Sequence, residues 1–242
     1  MNLLEPGIIF TIYGFNVTNT IFSTLLVDFI LVLLVFIIYK HISIYPSRLQ
    51  SISEATIDYF YTLTKQISGE RAKSIFPWVI SFFIFILFSN LTGLVPGLGT
   101  FGIVEEGNHG IIPFFKPPTS DFNTTFALAT ISLVATHALS IKYNGLLGYL
   151  GRFFSLNPVY LYVGILELIS EVTKLFSLSF RLFGNVFAGE VVLETIFSIF
   201  AFLAPIPFLL LESIVALVQA LVFAMLTMAF MGIMTNSHGE QH

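Results

Sequence analysis

The stretch that decides the fold reads Leu166-Glu167-Leu168-Ile169-Ser170-Glu171-Val172-Thr173-Lys174-Leu175-Phe176-Ser177-Leu178-Ser179-Phe180-Arg181-Leu182-Phe183-Gly184-Asn185-Val186-Phe187-Ala188-Gly189-Glu190. Its background is apolar enough for lipid, yet it holds Glu167, Glu171, Lys174, Arg181 and Glu190. A charge near the centre of a bilayer costs at least about 2.5–3.5 kcal/mol, so such charges face a bundle interior or a water path. At about 100° per residue, Glu167, Lys174 and Arg181 fall within about 40° of one another on a helix. Ser170, Glu171, Ser177, Gly184 and Asn185 widen that line into a polar stripe on a helix otherwise built of Leu, Ile, Val and Phe. Glu190 lies about half a turn round from Arg181 and ~13.5 Å further along the axis. The arginine and the last glutamate therefore face different environments, as an ion path interrupted by a fixed positive charge requires.

Around this stretch, 56% of the 242 residues are hydrophobic and 10% are charged, and the mean hydropathy is +0.91. A soluble domain carries about 25% charged residues, so the composition is that of a polytopic membrane protein in contact with lipid. The formal net charge of −4 leaves no basic surplus for nucleic acid. Cysteine is absent, which removes disulfides and thiolate metal sites; no cofactor and no metal is expected. The N-terminus lacks a basic region before an apolar one, so a cleaved signal peptide is not expected.

The expected architecture is all-α and polytopic: about five transmembrane helices, an amphipathic surface helix and a long tilted C-terminal helical hairpin, within one membrane domain over 1–242. Residues 1–19 form an N-terminal segment on the external side. The first span covers 20–40 and contains Asp28, which reads equally as an interfacial carboxylate or a functional one. Residues 44–73 form an amphipathic segment, with Ile52, Ala55, Tyr59, Phe60, Leu63 and Ile67 on one side. Five of the ten Lys and Arg residues fall between Lys40, at the end of the first span, and the start of the second, which makes that side cytoplasmic and the N-terminus external. The second span covers 75–96, an external loop 97–121, and the third span 122–141, in which His137 reads as a packed or interfacial histidine more readily than as a proton carrier. The long hairpin occupies 157–234, starting at Asn157-Pro158 and turning at Ala204-Pro205-Ile206-Pro207, and 235–242 is a cytoplasmic tail. A helix of roughly forty residues would run ~60 Å against a hydrocarbon core of ~30 Å, so it tilts or lies partly at the interface.

In an antiparallel hairpin, residues equidistant from the turn come level. Arg181 pairs with Gln219 about a midpoint near residue 200, and Glu190 with Glu212 about one near residue 201. Two polar pairs at two depths follow. Arginine keeps its charge, while two adjacent carboxylates in a low-dielectric setting suit groups that load and release protons. The constellation is a titratable relay beside a permanent cationic block.

These residues resemble subunit a of the F-type ATP synthase. The similarity covers Arg181-Leu182-Phe183-Gly184-Asn185-Val186-Phe187-Ala188-Gly189-Glu190, Asn90-Leu91-Thr92-Gly93-Leu94-Val95-Pro96-Gly97, Pro117-Pro118-Thr119-Ser120-Asp121-Phe122-Asn123 and Gln219-Ala220-Leu221-Val222-Phe223, in a bacterial rather than mitochondrial style. The resemblance implies the stator of a proton channel in the bacterial plasma (inner) membrane. That subunit forms two aqueous half-channels against a rotating c-ring, with the peripheral stalk subunit b as a further partner. Arg181 would separate the half-channels and partner the ring carboxylate, and Asn185 and Gln219 would position it. Glu190 and Glu212 would line the outer half-channel; Glu167, Ser170, Glu171 and Lys174 the inner one. Two departures from the family pattern are Glu212, where some bacterial relatives have histidine, and Leu175, where many have proline. The chain has no nucleotide-binding loop, so it binds no ATP directly and nucleotide catalysis belongs to other subunits.

Three other readings compete. Glu167, Glu171 and Lys174 could be a helix end snorkelling to the interface. A self-contained secondary transporter using Arg181 for an anionic substrate predicts an internal repeat and a broken helix, and the sequence displays neither. A membrane scaffold gives no reason for charges on opposite faces of one helix.

Overall fold

A computed structural model describes residues 7–12, 15–95, 102–104, 111–153, 158–199 and 205–235. Glu105, Glu106, Asn157, Ala204 and the tail beyond Thr235 lie outside the described residues. The expected all-α membrane architecture is found. Six helices follow in order among the described residues: α1 Asn19–Lys40, α2 Arg48–Ser68, α3 Ala72–Thr92, α4 Phe122–Phe153, α5 Pro158–Ile199 and α6 Pro205–Thr235. Four helical stretches are long and apolar enough to cross a membrane: Asn19–Lys40, Arg48–Thr92, Phe122–Phe153 and Pro205–Thr235.

Two short antiparallel hairpins stand outside the helical pattern, β1 Ile8–Ile12 with β2 Phe15–Thr18, and β3 Gly102–Val104 with β4 Ile111–Pro113. The sequence reading did not separate them from loop, because runs of three to five residues are too short to display an alternation.

The helices distribute over two compact units. The first gathers Met1–Ile42, Ile84–Thr125 and Phe180–Leu221; the second gathers Ser43–Phe83, Phe126–Ser179 and Val222–His242.

In the first unit, the loop leading into α4 is fastened to its neighbours by side chains. The Thr20 hydroxyl donates to Asp121 at 3.1 Å, the Lys116 amide donates to Ser23 Oγ at 3.1 Å, and Asn19 Nδ2 donates to the Pro113 carbonyl at 3.3 Å. A 3₁₀ turn, Pro118–Ser120, follows, and the Thr119 hydroxyl donates to Asn90 Oδ1 at 2.7 Å. Asn90 Nδ2 in turn donates to the Ala216 carbonyl of α6 at 3.3 Å. A side chain on Gly93 would collide with the Pro117 ring, so this crossing admits only glycine without movement.

In the second unit, α2 turns into α3 through Gly69–Arg71, with Gly69 at φ 56°. The face α2 buries is not its apolar side. Phe60 is buried, but its buried companions are Gln50, Thr64 and Ser68, while Ile52, Tyr59 and Ile67 stay exposed. The hydroxyls make this burial tolerable: Thr64 Oγ1 donates back to the Phe60 carbonyl at 2.7 Å and lies 3.2 Å from Met228 Sδ. The exposed Ile and Tyr side chains then form the lipid-compatible side of the helix.

Helix α4 breaks at Gly145, where φ is 74°. The end of α6 is held by side chains from neighbouring elements. Ser140 Oγ (2.7 Å) and Asn144 Nδ2 (3.0 Å) both donate to the Met234 carbonyl, Arg152 Nη1 reaches the Ile233 carbonyl at 3.5 Å, and Arg71 donates to the Thr235 carbonyl.

Candidate functional site

Helix α5 carries the site, and its periodicity sorts the residues. Ser170, Thr173, Ser177, Arg181, Asn185 and Ala188 are exposed. They fall within about 120° of one another round the helix axis. Apart from the arginine, these side chains are small or short, which allows another helix to approach closely. Gly164, Glu171, Leu178, Leu182, Val186 and Leu193 are buried and form a second face. Glu171 therefore lies on the packed face of α5, about 80° from Arg181, rather than in the arginine's stripe. Glu167 and Lys174 flank the two faces at intermediate exposure.

In the first unit the hairpin brings polar groups level. Asn185 Nδ2 donates to Gln219 Oε1 at 2.8 Å, so the amide that meets Gln219 comes from the turn after Arg181. Gln219 is buried, whereas Asn185 is exposed, so the bond joins a fixed group to the exposed face. One turn further on, the Glu212 carboxylate packs onto the α5 backbone in the space a side chain on Gly189 would fill. Glu190 turns to the opposite side from Arg181. The Lys116 charge acts on it from the loop, and the Ser120 hydroxyl is within hydrogen-bonding reach. Its Oε2 is buried without a hydrogen-bond partner among the described residues.

In the second unit the charges pair. Arg152 Nε and Nη2 both lie 2.5 Å from Glu167 Oε1. Lys174 Nζ donates to Glu171 Oε1 at 2.6 Å and sits 4.6 Å from the centre of the Phe230 ring. His137 Nε2 is 3.9 Å from Glu171 Oε2, and its Nδ1 is 3.1 Å from Tyr149 Oη. A small cavity beside Glu171 is bordered by Ser132, Thr136, Lys174, Leu178 and Phe230.

Among known protein families, the model of the ATP synthase A chain matches residues 20–232. The chain belongs to the ATP synthase A chain family. Its relatives agree. ATP synthase subunit a of Moorella thermoacetica is 31% identical over 238 residues, covering 98% of this chain and 100% of the relative. ATP synthase subunit a of Trichlorobacter lovleyi is 33% identical over 224 residues, covering 91% and 89%. ATP synthase subunit a of Geobacter sulfurreducens is 32% identical over 224 residues, with the same coverage. The resemblance drawn from Arg181 to Glu190 and its companion segments is thereby upheld.

For this ATP synthase A chain, sequence reasoning missed several polar neighbours. Lys116 and Ser120 were noticed only as part of a loop; the signal was a lone lysine directly before Pro117-Pro118-Thr119-Ser120-Asp121. Arg152 carries no such signal, and neither does Tyr149. Its partner His137 is twelve residues back, across the Gly145 break, a separation without helical meaning.

Proposed function

We propose that this chain is the stator subunit of the ATP synthase proton channel, forming two half-channels against the rotating c-ring and coupling proton flow to ring rotation and ATP synthesis. It performs no nucleotide chemistry itself. The observation that carries the proposal is the placement of Arg181 on the exposed stripe of α5, with the buried oxygen of Glu190 on the opposite side of the same helix. A guanidinium on an exposed face of small side chains can meet a carboxylate on an approaching helix, and it cannot give up its proton to carry one through. It draws that carboxylate to the ionised form and blocks direct passage. Asn185, held by Gln219, supports the arginine's stripe from the next turn. Glu190 and Glu212 belong to the outer half-channel, and Glu167, Ser170, Glu171 and Lys174 to the inner one. The c-ring faces the α5 stripe, and the peripheral stalk subunit b is a further partner. The chain resides in the bacterial plasma membrane with its N-terminus outside and its C-terminus in the cytoplasm.

The test is ATP-driven proton pumping by the assembled complex in inverted membrane vesicles, wild type against Arg181→Ala. The variant should assemble and lose pumping, with passive proton leak retained or raised. Pumping at the wild-type rate by an assembled Arg181→Ala complex would overturn the proposal.

A further inference from the structure

Glu171 stands apart from the other carboxylates of α5. Its residue exposure is 5%, so its charge is removed from water. Lys174 satisfies Oε1, but Oε2 is buried and has no hydrogen-bond donor among the described residues. Glu167, one turn earlier, differs: Arg152 holds it through two N–H groups, which fixes its charge. The open oxygen of Glu171 is directed at His137 Nε2, 3.9 Å away, and the side chains are graded in exposure, 23% for His137 and 6% for Glu171. A gap of that length is not a hydrogen bond, but a side-chain rotation of about 1 Å makes it one.

We propose that His137 and Glu171 form a proton-transfer station in the second unit, with His137 exchanging protons at the more exposed end and Glu171 passing them inward. This rests on the reading of the chain as the proton-channel subunit, and it adds two side chains, His137 and Tyr149, to the inner path. In the step itself, the Nε2–H bond of the imidazolium breaks as an O–H bond forms at Glu171 Oε2. Imidazolium and carboxylate become imidazole and carboxylic acid, and no other reactant is consumed. In the tautomer this step uses, Nδ1–H donates to Tyr149 Oη, 3.1 Å away, and Nε2 is the nitrogen that gains and loses the proton. The groups that set the balance are all named: Glu167, Glu171 and Lys174 from α5, and Arg152 and Tyr149 from α4. Beyond Glu171, the cavity with Ser132 and Thr136 on its border offers hydroxyls for onward transfer.

The experiment measures ATP-driven pumping per assembled complex in inverted vesicles, as a function of external pH between about 6 and 9. Glu171→Gln should lower the rate at least about tenfold, since a positioned proton carrier contributes that much or more. Glu171→Asp should recover part of it. His137→Gln should lower the rate and flatten its dependence on pH, an effect that a packing role would not produce. Wild-type rates and an unchanged pH profile in either Glu171→Gln or His137→Gln would overturn the proposal. Where Glu171→Gln fails to assemble, the His137→Gln profile decides alone. Arg181→Ala measured alongside separates the two levels: pumping retained there removes the channel reading itself, whereas pumping lost there with normal His137 and Glu171 variants removes only the station.

Discussion

The two units handle buried polarity in opposite ways. In the second, charges neutralise one another over short stretches of chain: Lys174 with Glu171 three residues away, and Arg152 of α4 with Glu167 of α5. In the first, polar groups converge from distant segments: Lys116 and Ser120 from a loop, Asn185 and Glu190 from α5, Glu212 and Gln219 from α6. There the contacts described include amides, hydroxyls, close backbone approach and the Lys116 charge beside Glu190. A region built on charge pairs is held firmly by a few strong bonds. One built on neutral hydrogen bonds and close packing buries a Glu190 oxygen without a donor among the described residues, the condition that Glu171 Oε2 shares in the second unit.

The largest effect should come from breaking a charge pair. Arg152→Met strands Glu167 and should destabilise the chain by about 3 kcal/mol, read as a lower midpoint of thermal denaturation of the detergent-solubilised complex. Adding Glu167→Leu should restore most of the loss; if Arg152→Met alone is neutral, the second unit does not depend on pairing. Next comes Gly164→Ala, whose new side chain would meet the Phe153 backbone and cannot be accommodated by a side-chain rotation. A cost of about 2 kcal/mol is expected in the same assay. Asn185→Ala leaves the buried Gln219 without its donor and should cost about 1 kcal/mol; a cost matching that of Arg152→Met would erase the contrast between the units. The smallest stability effect should belong to Gly189→Ala. There the obstacle is the end of the Glu212 side chain, which can swing aside, so the denaturation midpoint should hardly move while pumping falls. A large loss of stability would show that this carboxylate is locked in place.

What was legible in the sequence follows the same division. The helices and the opposition of Arg181 and Glu190 rest on local periodicity, which a single chain displays openly, whereas Pro205–Pro207, expected in the turn, open α6. Levelling residues by their distance from the turn put Glu212 beside the Gly189–Glu190 step and Gln219 within a turn of its amide partner, since a helix advances uniformly from a fixed point. The assignment of Lys116 to Glu190 was out of reach, because it depends on how a loop folds back over α1 and α3. The exposed apolar side of α2 agrees with the surface helix expected there; what the pattern did not display is that hydroxyls bonding to their own backbone occupy the packed side. Glu171 was placed in the arginine's stripe because angles of 80° and 40° are hard to separate when the true packing direction is unknown.

The finish of α6 has a practical consequence. A helix normally leaves its last carbonyls seeking partners from whatever follows. Here Arg71, Arg152, Ser140 and Asn144 supply donors to Ile233, Met234 and Thr235 from elsewhere in the unit. The last turn of α6 is held from within its unit, so a fluorescent or affinity handle joined to the tail that follows Thr235 should leave that turn undisturbed, a suitable reporter for following assembly in living cells.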